Sequence, residues 1–317
     1  MKIPAIIDCD PGHDDVMAIL LGAGTMDIKG ITTVFGNASL PLTTRNARYT
    51  VELANLRHIP IAVGHDRPLL REDESADDGA GVHGKTGLDG PIMTEPTVSV
   101  LEEHAVDFIY RTAKETPNFH LIPVGPLTNI AAAIRRYPDI VDHVTAISLM
   151  GGSTTMGNAT AAAEFNIWAD AEAAHVVFTS GIPIKMVGLN VTRLVAATPD
   201  LRNKIRRFGS RTAVAVADML DFYSERLAVL YGLPGGSMHD PLAVAALIEP
   251  DILTFEMMHV AIELVGTHTY GMTVCDYRNR RTDTGGPRGE KPNAHVAVAV
   301  DADRFWTLFL DILHTYP

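Results

Sequence analysis

The apolar run Ile3-Pro4-Ala5-Ile6-Ile7 ends abruptly in Asp8-Cys9-Asp10-Pro11-Gly12-His13-Asp14-Asp15, which places four carboxylates within eight residues. The run reads as a buried strand, and the i, i+2 spacing of Asp8 and Asp10 puts both side chains on one of its faces. Pro11-Gly12 breaks the strand. Asp14 and Asp15 then open the apolar segment 16–21, which reads as a helix with Asp14 as its expected N-cap. The four acids therefore converge on one strand-to-helix corner.

Like charges this close raise one another's pKa, so the group must share either a proton or a cation. His13 is the only base nearby and no Cys/His cluster accompanies it, so the donors are oxygens. Such a set suits a hard cation, Ca²⁺ or Mg²⁺. The competing reading, in which Asp14 and Asp15 merely favour the positive end of a helix, accounts for one or two acids but not four.

The rest of the chain alternates. Residues 28–35 are β-branched and close on Gly36-Asn37; residues 43–57 have helical apolar spacing; Ile61-Ala62-Val63-Gly64 is a short buried strand. Residues 98–114 read as a helix, 119–124 as a strand ended by Gly125-Pro126, and 128–136 as a helix. Strands at 144–149 and 183–189 flank a helix at about 170–179. One or two helices span 199–231, alternating strands fill 256–300, and a closing helix covers 303–316. Regular alternation with right-handed crossovers predicts an α/β fold, a doubly wound and mostly parallel sheet flanked by helices. With no low-complexity linker, the whole of 1–317 reads as a single domain.

Two segments interrupt the pattern. Residues 65–95 are too long for an ordinary connection, and their Gly-Val-His-Gly-Lys-Thr-Gly core suggests a hinged lid. His83 would reach a substrate when that lid closes, or is simply a solvated loop residue. Gly84-Lys85-Thr86 lacks the spacer of a phosphate loop and does not lead into a helix. Residues 278–292 gather Arg278, Arg280, Arg281, Arg288 and Lys291 among Gly and Pro, as a solvated loop or a subunit contact. Asn37 reads equally as a turn residue or as a ligand at a strand end, and Asp240 as a helix cap or a site acid. Tyr223 and Tyr231 are either core or a stacking surface for a heterocycle.

A net charge of −12 opposes phosphate neutralisation, so a neutral small molecule is expected and nucleic acid is not. Two cysteines, Cys9 and Cys275, do not form a disulfide framework. Met1-Lys2 leads straight into an acid-ended strand with neither a signal h-region nor a long apolar span. These features predict a reduced, cytoplasmic protein that does not enter membranes.

The string DCDPGHDD, with Val34-Phe35-Gly36-Asn37, His83 to Gly90, Val124 to Asn129, Met150-Gly151-Gly152, Ala163-Glu164-Phe165-Asn166 and His239-Asp240 following in order, resembles the nucleoside hydrolases, the inosine-uridine preferring N-ribohydrolases. The resemblance spans nearly the whole chain. It implies the nucleoside hydrolase fold with its Rossmann-like core and hydrolysis of an N-ribosidic bond. It implies Ca²⁺ held by Asp10, Asp15, the Val124 carbonyl and Asp240, with Asp10 also the general base. Asp14, Asn37, Asn158, Glu164 and Asn166 would take ribose hydroxyls, with Met150 packed near the ribose and His83 reaching the substrate. His239, expected to titrate near neutrality, would assist the departing base. Leu227 stands where some relatives carry a polar base contact, which leaves the base open. A homo-oligomer, tetramer or dimer, is expected. Two other classes remain: an aspartate-nucleophile phosphatase, whose continuation and downstream Lys the string lacks, and a non-catalytic calcium- or sugar-binding protein, which would not need His239.

Overall fold

A computed structural model describes residues 2–72, 81–279 and 290–317 of the chain. Its central sheet has eight strands: β1 (Pro4–Cys9), β2 (Asp27–Thr33), β3 (Ile61–Val63), β4 (Phe119–Pro123), β5 (Val144–Met150), β6 (Ile184–Val187), β9 (Leu253–Met258) and β12 (Ala294–Val300). The short strands β7 (Ala196–Ala197) and β8 (Gly236–Ser237) form one ribbon, and β10 (Val260–Ile262) and β11 (Thr273–Cys275) another. The sheet order is β3-β2-β1-β4-β5-β6-β12-β9, parallel throughout except that β9 runs against β12. From β1 the chain winds outward to β3, then returns and winds the other way from β4. The crevice where the winding reverses lies past the carboxyl ends of β1 and β4, where doubly wound sheets bind ligands. Asp10 and Val124 directly follow those two ends.

Alternation along the strands feeds two cores. Ala5, Ile7 and Cys9 of β1 join one apolar cluster with helix α1 (His13–Thr25) and the helices Arg211–Tyr231, Pro241–Ile248 and Ala302–Leu313. Ile6 joins the other, with the helices Ala105–Glu115, Thr128–Arg136 and Ala171–Phe178. Each large apolar side chain taken out of water contributes about 1.5–3 kcal/mol. Truncating one such as Ile7 to alanine costs roughly 2–5 kcal/mol.

Two local expectations change. Helix α1 is capped at Gly12 rather than Asp14: the Asp15 carboxylate accepts the backbone N–H groups of Gly12 at 2.9 Å and Asp10 at 3.2 Å, so Asp15 turns the corner. The helix expected over 98–114 starts only at Ala105. Residues 98–104 are not helical, because Glu52 accepts the Val98 N–H and Leu101 N–H bonds to Ile61, holding the segment against its neighbours. Of the basic insert, Arg280, Arg281 and Arg288 lie outside the described residues, as do residues 73–80 of the long segment expected to form a lid. Among the described residues no helix is long and apolar enough to cross a membrane.

Candidate active site

Asp10 is wholly buried at the mouth of the crevice. Its Oδ2 accepts the Asn37 backbone N–H at 2.7 Å, while Oδ1 has no hydrogen-bond partner. The approach is so close that a Cβ on Gly125 would overlap Oδ1 and one on Gly36 would overlap Oδ2, which is why glycines follow both β2 and β4. Asp14, Asp15 and Asp240 meet beside it, with one oxygen from each lying within 4.8 Å of the others. Asp240 occupies the cap position of the Pro241–Ile248 helix yet makes no capping bond, so its carboxylate is free for the cluster. Asp8, the fourth acid of the opening string, is instead tied to Thr32 and Asn129 at 2.5 and 2.8 Å.

Burial dominates the electrostatics. It pushes Asp10, Asp14 and Asp240 well above the usual carboxylate range, reinforced by the neighbouring acids, and lifts Asp15 to about 6. Asp8 rises to about 7 for the same first reason. Among the described residues no Lys or Arg ion pair relieves this charge. Crowded oxygen donors, one of them buried and unpartnered, fit a hard cation. Asp14, Asp15 and Asp240 bring their oxygens within reach of one another, and Asp10 is adjacent through its charge coupling to each. Val124 lines the same cavity, and its carbonyl already accepts the Asn166 carboxamide at 2.8 Å, which leaves it one lone pair.

A cavity of about 190 Å³ opens on this cluster, lined by Asp14, Asn37, His83, Val124, Met150, Asn158, Glu164, Asn166, His239 and Asp240, all picked out in the sequence. Its polar lining is rich in acceptors. Asn37 Nδ2 donates to the Asp10 carbonyl and Asp15, and Asn166 Nδ2 to the Val124 and Met150 carbonyls, so each amide has its oxygen left for a ligand. Glu164 caps the Phe165–Ala169 helix, accepting N–H groups from Gly152, Asn166 and Ile167. Asn158 is the complement: its oxygen accepts the Phe165 N–H, which leaves its NH₂ available. Hydroxyl-rich ligands suit such a lining.

The opposite wall is aromatic and apolar, with Val82, Phe165, Tyr223, Leu227 and Tyr231. Tyr223 is buried and Tyr231 about half exposed, so the first packs the wall and the second stands at the mouth. His239 departs from expectation: burial, then the Arg193 charge, pulls it down to about 3, so its imidazole is neutral. Its Nδ1 lies 2.6 Å from Thr192 Oγ1. His83 is not a solvated loop residue; it is buried and its ring nitrogen Nδ1 meets His13 Nδ1 at 2.9 Å. The segment around it is pinned rather than loose, since Asn46 donates to the carbonyls of Pro11 and Thr86 and Leu88 is fully buried.

Sequence reasoning missed Thr192, Asn129 and the part played by His13. The first two lie in the helices Leu189–Thr192 and Thr128–Arg136, and only tertiary contact gives them meaning. His13 sat within the opening string, where its proximity to acids drew attention away from its ring neighbours.

Comparison with known proteins adds independent findings. The family model described as inosine-uridine preferring nucleoside hydrolase matches residues 5–307. The chain is 41% identical over 314 residues to an inosine-uridine preferring nucleoside hydrolase of Crithidia fasciculata, covering 97% of this chain and 96% of that protein. It is 39% identical over 320 residues to the pyrimidine-specific ribonucleoside hydrolase RihA of Escherichia coli (strain K12), covering all of both. Its fold superposes on a purine-preferring ribonucleoside hydrolase from Gardnerella vaginalis with a TM-score of 0.91 and 32% identity, over 98% of each chain.

Proposed function

The chain belongs to the inosine-uridine preferring nucleoside hydrolase family, and from that premise we propose that the cavity at the β1–β4 crevice is where it hydrolyses the N-glycosidic bond of ribonucleosides, releasing ribose and free base. The observation that carries the assignment of the site is the meeting of a buried carboxylate cluster with amide oxygens whose own N–H groups are already spent. The phosphatase and pure binding readings fall away with the family.

In this reading Asp10, Asp15, the Val124 carbonyl and Asp240 would hold a calcium ion, a set supported by the unpartnered Asp10 Oδ1 and the absence of a capping bond on Asp240. Bound there, the ion would supply orientation and added acidity to the attacking water. Asp10, fixed through Oδ2 by Asn37, receives the water's proton as general base. Asp14, Asn37, Asn158, Glu164 and Asn166 hold the ribose hydroxyls, with Met150 packed near the ring. Positive charge developing on the sugar is stabilised by the surrounding carboxylates. His239, neutral at rest, serves the departing base as a hydrogen-bond donor, and His83 reaches the substrate from the other side.

The relatives differ in base preference as named. Leu227 and Tyr231 offer apolar contact that selects no particular base and speaks against strict pyrimidine specificity, so a broad or at most pyrimidine-leaning enzyme is proposed. We extend the proposal to a single catalytic domain over 1–317, a cytoplasmic location, for which the two unpaired cysteines speak, and a homotetramer or homodimer, which sedimentation would decide.

The test compares uridine, cytidine, inosine and deoxyuridine, with and without a chelator. Turnover of ribonucleosides should vanish on chelation, return with Ca²⁺ and be lost in Asp10→Ala. Deoxyuridine should be rejected strongly, because it leaves buried ribose-binding groups unpaired. Equal kcat/KM for uridine and deoxyuridine would remove the hydroxyl contacts, and activity in Asp10→Ala would remove the base.

A further inference from the structure

Asn46 is a wholly buried carboxamide on the inward stripe of the helix Leu40–Leu53, beside Thr43, Ala47 and Thr50. Its Nδ2 donates to the Pro11 carbonyl and to the Thr86 carbonyl, each at 2.9 Å, while its Oδ1 has no hydrogen-bond partner. Both contacts are to acceptors, so turning the amide over would set its oxygen against two carbonyls. The two donated bonds are therefore what the polarity of this side chain contributes. A buried asparagine ordinarily satisfies backbone groups and no more. Here the two carbonyls belong to segments far apart in the sequence: one to the acid corner, the other to the turn that carries His83.

The Pro11–Gly12 peptide is held at both edges, its carbonyl by Asn46 and its N–H by the Asp15 carboxylate at 2.9 Å. His83 rests on that peptide. A Cβ on Gly12 would lie 2.6 Å from His83 Nδ1, and the next backbone N–H, that of His13, donates to the same nitrogen at 3.3 Å. The turn that delivers His83 closes on itself: the Asp89 N–H donates to the His83 carbonyl, and the Asp89 carboxylate accepts the N–H groups of Lys85 and Thr86. Asn46 thus grips both the ledge under the His83 ring and the turn from which that ring projects. From this geometry we propose that Asn46 is a positioning residue: by holding the Pro11 and Thr86 carbonyls with one carboxamide, it fixes the distance between the acid corner and His83, and so how far His83 reaches into the cavity. A misplacement of about an ångström in a substrate-facing group costs on the order of a hundredfold in rate. The proposal rests on the cavity being the nucleoside site with His83 as a substrate contact, and its first test uses no substrate.

Asn46→Ala removes both donors and leaves room for water to serve the freed carbonyls. Amide hydrogen exchange, read by mass spectrometry with Ca²⁺ present, should quicken by about tenfold or more over 83–89 while β1 keeps its protection. Unchanged exchange over 83–89, or a rise spread evenly along the chain, would overturn the proposal. Unsubstituted enzyme supplies a control that needs no variant to fold: the amides of Gly87 and Asp89, bonded to the carbonyls of Gly84 and His83, should be protected, and exchange at the rate of an exposed loop would equally overturn it. Kinetics on uridine form the second arm. Asn46→Ala should lower kcat/KM by roughly ten- to hundredfold, and Asn46→Ser, which keeps one donor, should recover part of the loss. In a His83→Ala background the alanine change should cost about threefold or less, because the group being positioned is gone. Equal losses in the two backgrounds, or a fall in Ca²⁺ affinity that accounts for the lost activity, would confine Asn46 to the acid corner and overturn the proposal. The exchange measurements read the same whether or not uridine is hydrolysed, so failure of the clamp is distinguishable from failure of the assigned activity.

Discussion

His239 shows how far burial redirects a side chain. An isolated imidazole titrates near neutrality, but this one sits at about 3 because its cationic form loses solvation and faces Arg193. It therefore holds no spare proton at rest, and its service to the base is a donated hydrogen bond. Thr192 Oγ1 on Nδ1 leaves Nε2 for that purpose. His239→Ala should depress kcat on uridine or inosine by about 10²–10⁴. It should scarcely touch p-nitrophenyl riboside, whose leaving group departs unaided; Asp10→Ala should damage both. Equal losses on both substrates for His239→Ala would mean that the residue only shapes its loop. That His239 belongs to the site was legible from its place beside Asp240. Its charge state was not, because desolvation depends on every element packed around it.

The Phe165–Ala169 helix is short and owes its start to one carboxylate. Glu164 accepts three backbone N–H groups there, yet burial still lifts it from 4.5 to about 7. Between those values the folded protein holds a proton that the unfolded chain has released. This contribution to stability is therefore complete below about 4.5 and is lost as pH rises through 7. A shift of this size corresponds to about 3 kcal/mol. Denaturant midpoints measured from pH 4.5 to 7.5 should show the decline, and Glu164→Gln should flatten this part of the slope. The variant keeps one acceptor oxygen of the two, so the backbone donors that face its NH₂ lose their partner and the helix start weakens. An unchanged slope in Glu164→Gln would assign the pH dependence to the other buried acids. The glutamate was legible as a polar loop residue; its cap required the turn from Met150 to converge on it.

At the scale of the whole molecule the acidic crevice is a cost that folding alone does not recover. Three carboxylates share one buried pocket beside Asp10, and the described residues bring no Lys or Arg ion pair to them. A cation bound only by the folded state stabilises it by mass action, about 2.7 kcal/mol at a hundredfold excess over Kd. Calorimetry of chelated enzyme should show a lower Tm, restored by Ca²⁺ and less by Mg²⁺, which demands near-ideal octahedral geometry and dehydrates reluctantly. Equal restoration by Mg²⁺ would argue against calcium selectivity, and no shift with either ion would leave the cluster protonated rather than metallated.

The sequence by itself determined the alternation of strands and helices, hence the doubly wound sheet, because apolar periodicity and the Gly and Pro breaks are local properties. The resemblance carried by its ordered motifs also named most residues that line the cavity, among them Asn37, Val124 and Met150, each of which follows or closes a strand. Only the tertiary structure decided which groups are spent and which are free. Asp15 caps helix α1 while Asp14 faces the cavity, Asp240 starts a helix without capping it, and Asp8 is diverted to Thr32 and Asn129. Identical side chains in one short string part company there, because hydrogen-bond partners and desolvation come from residues up to 121 positions away.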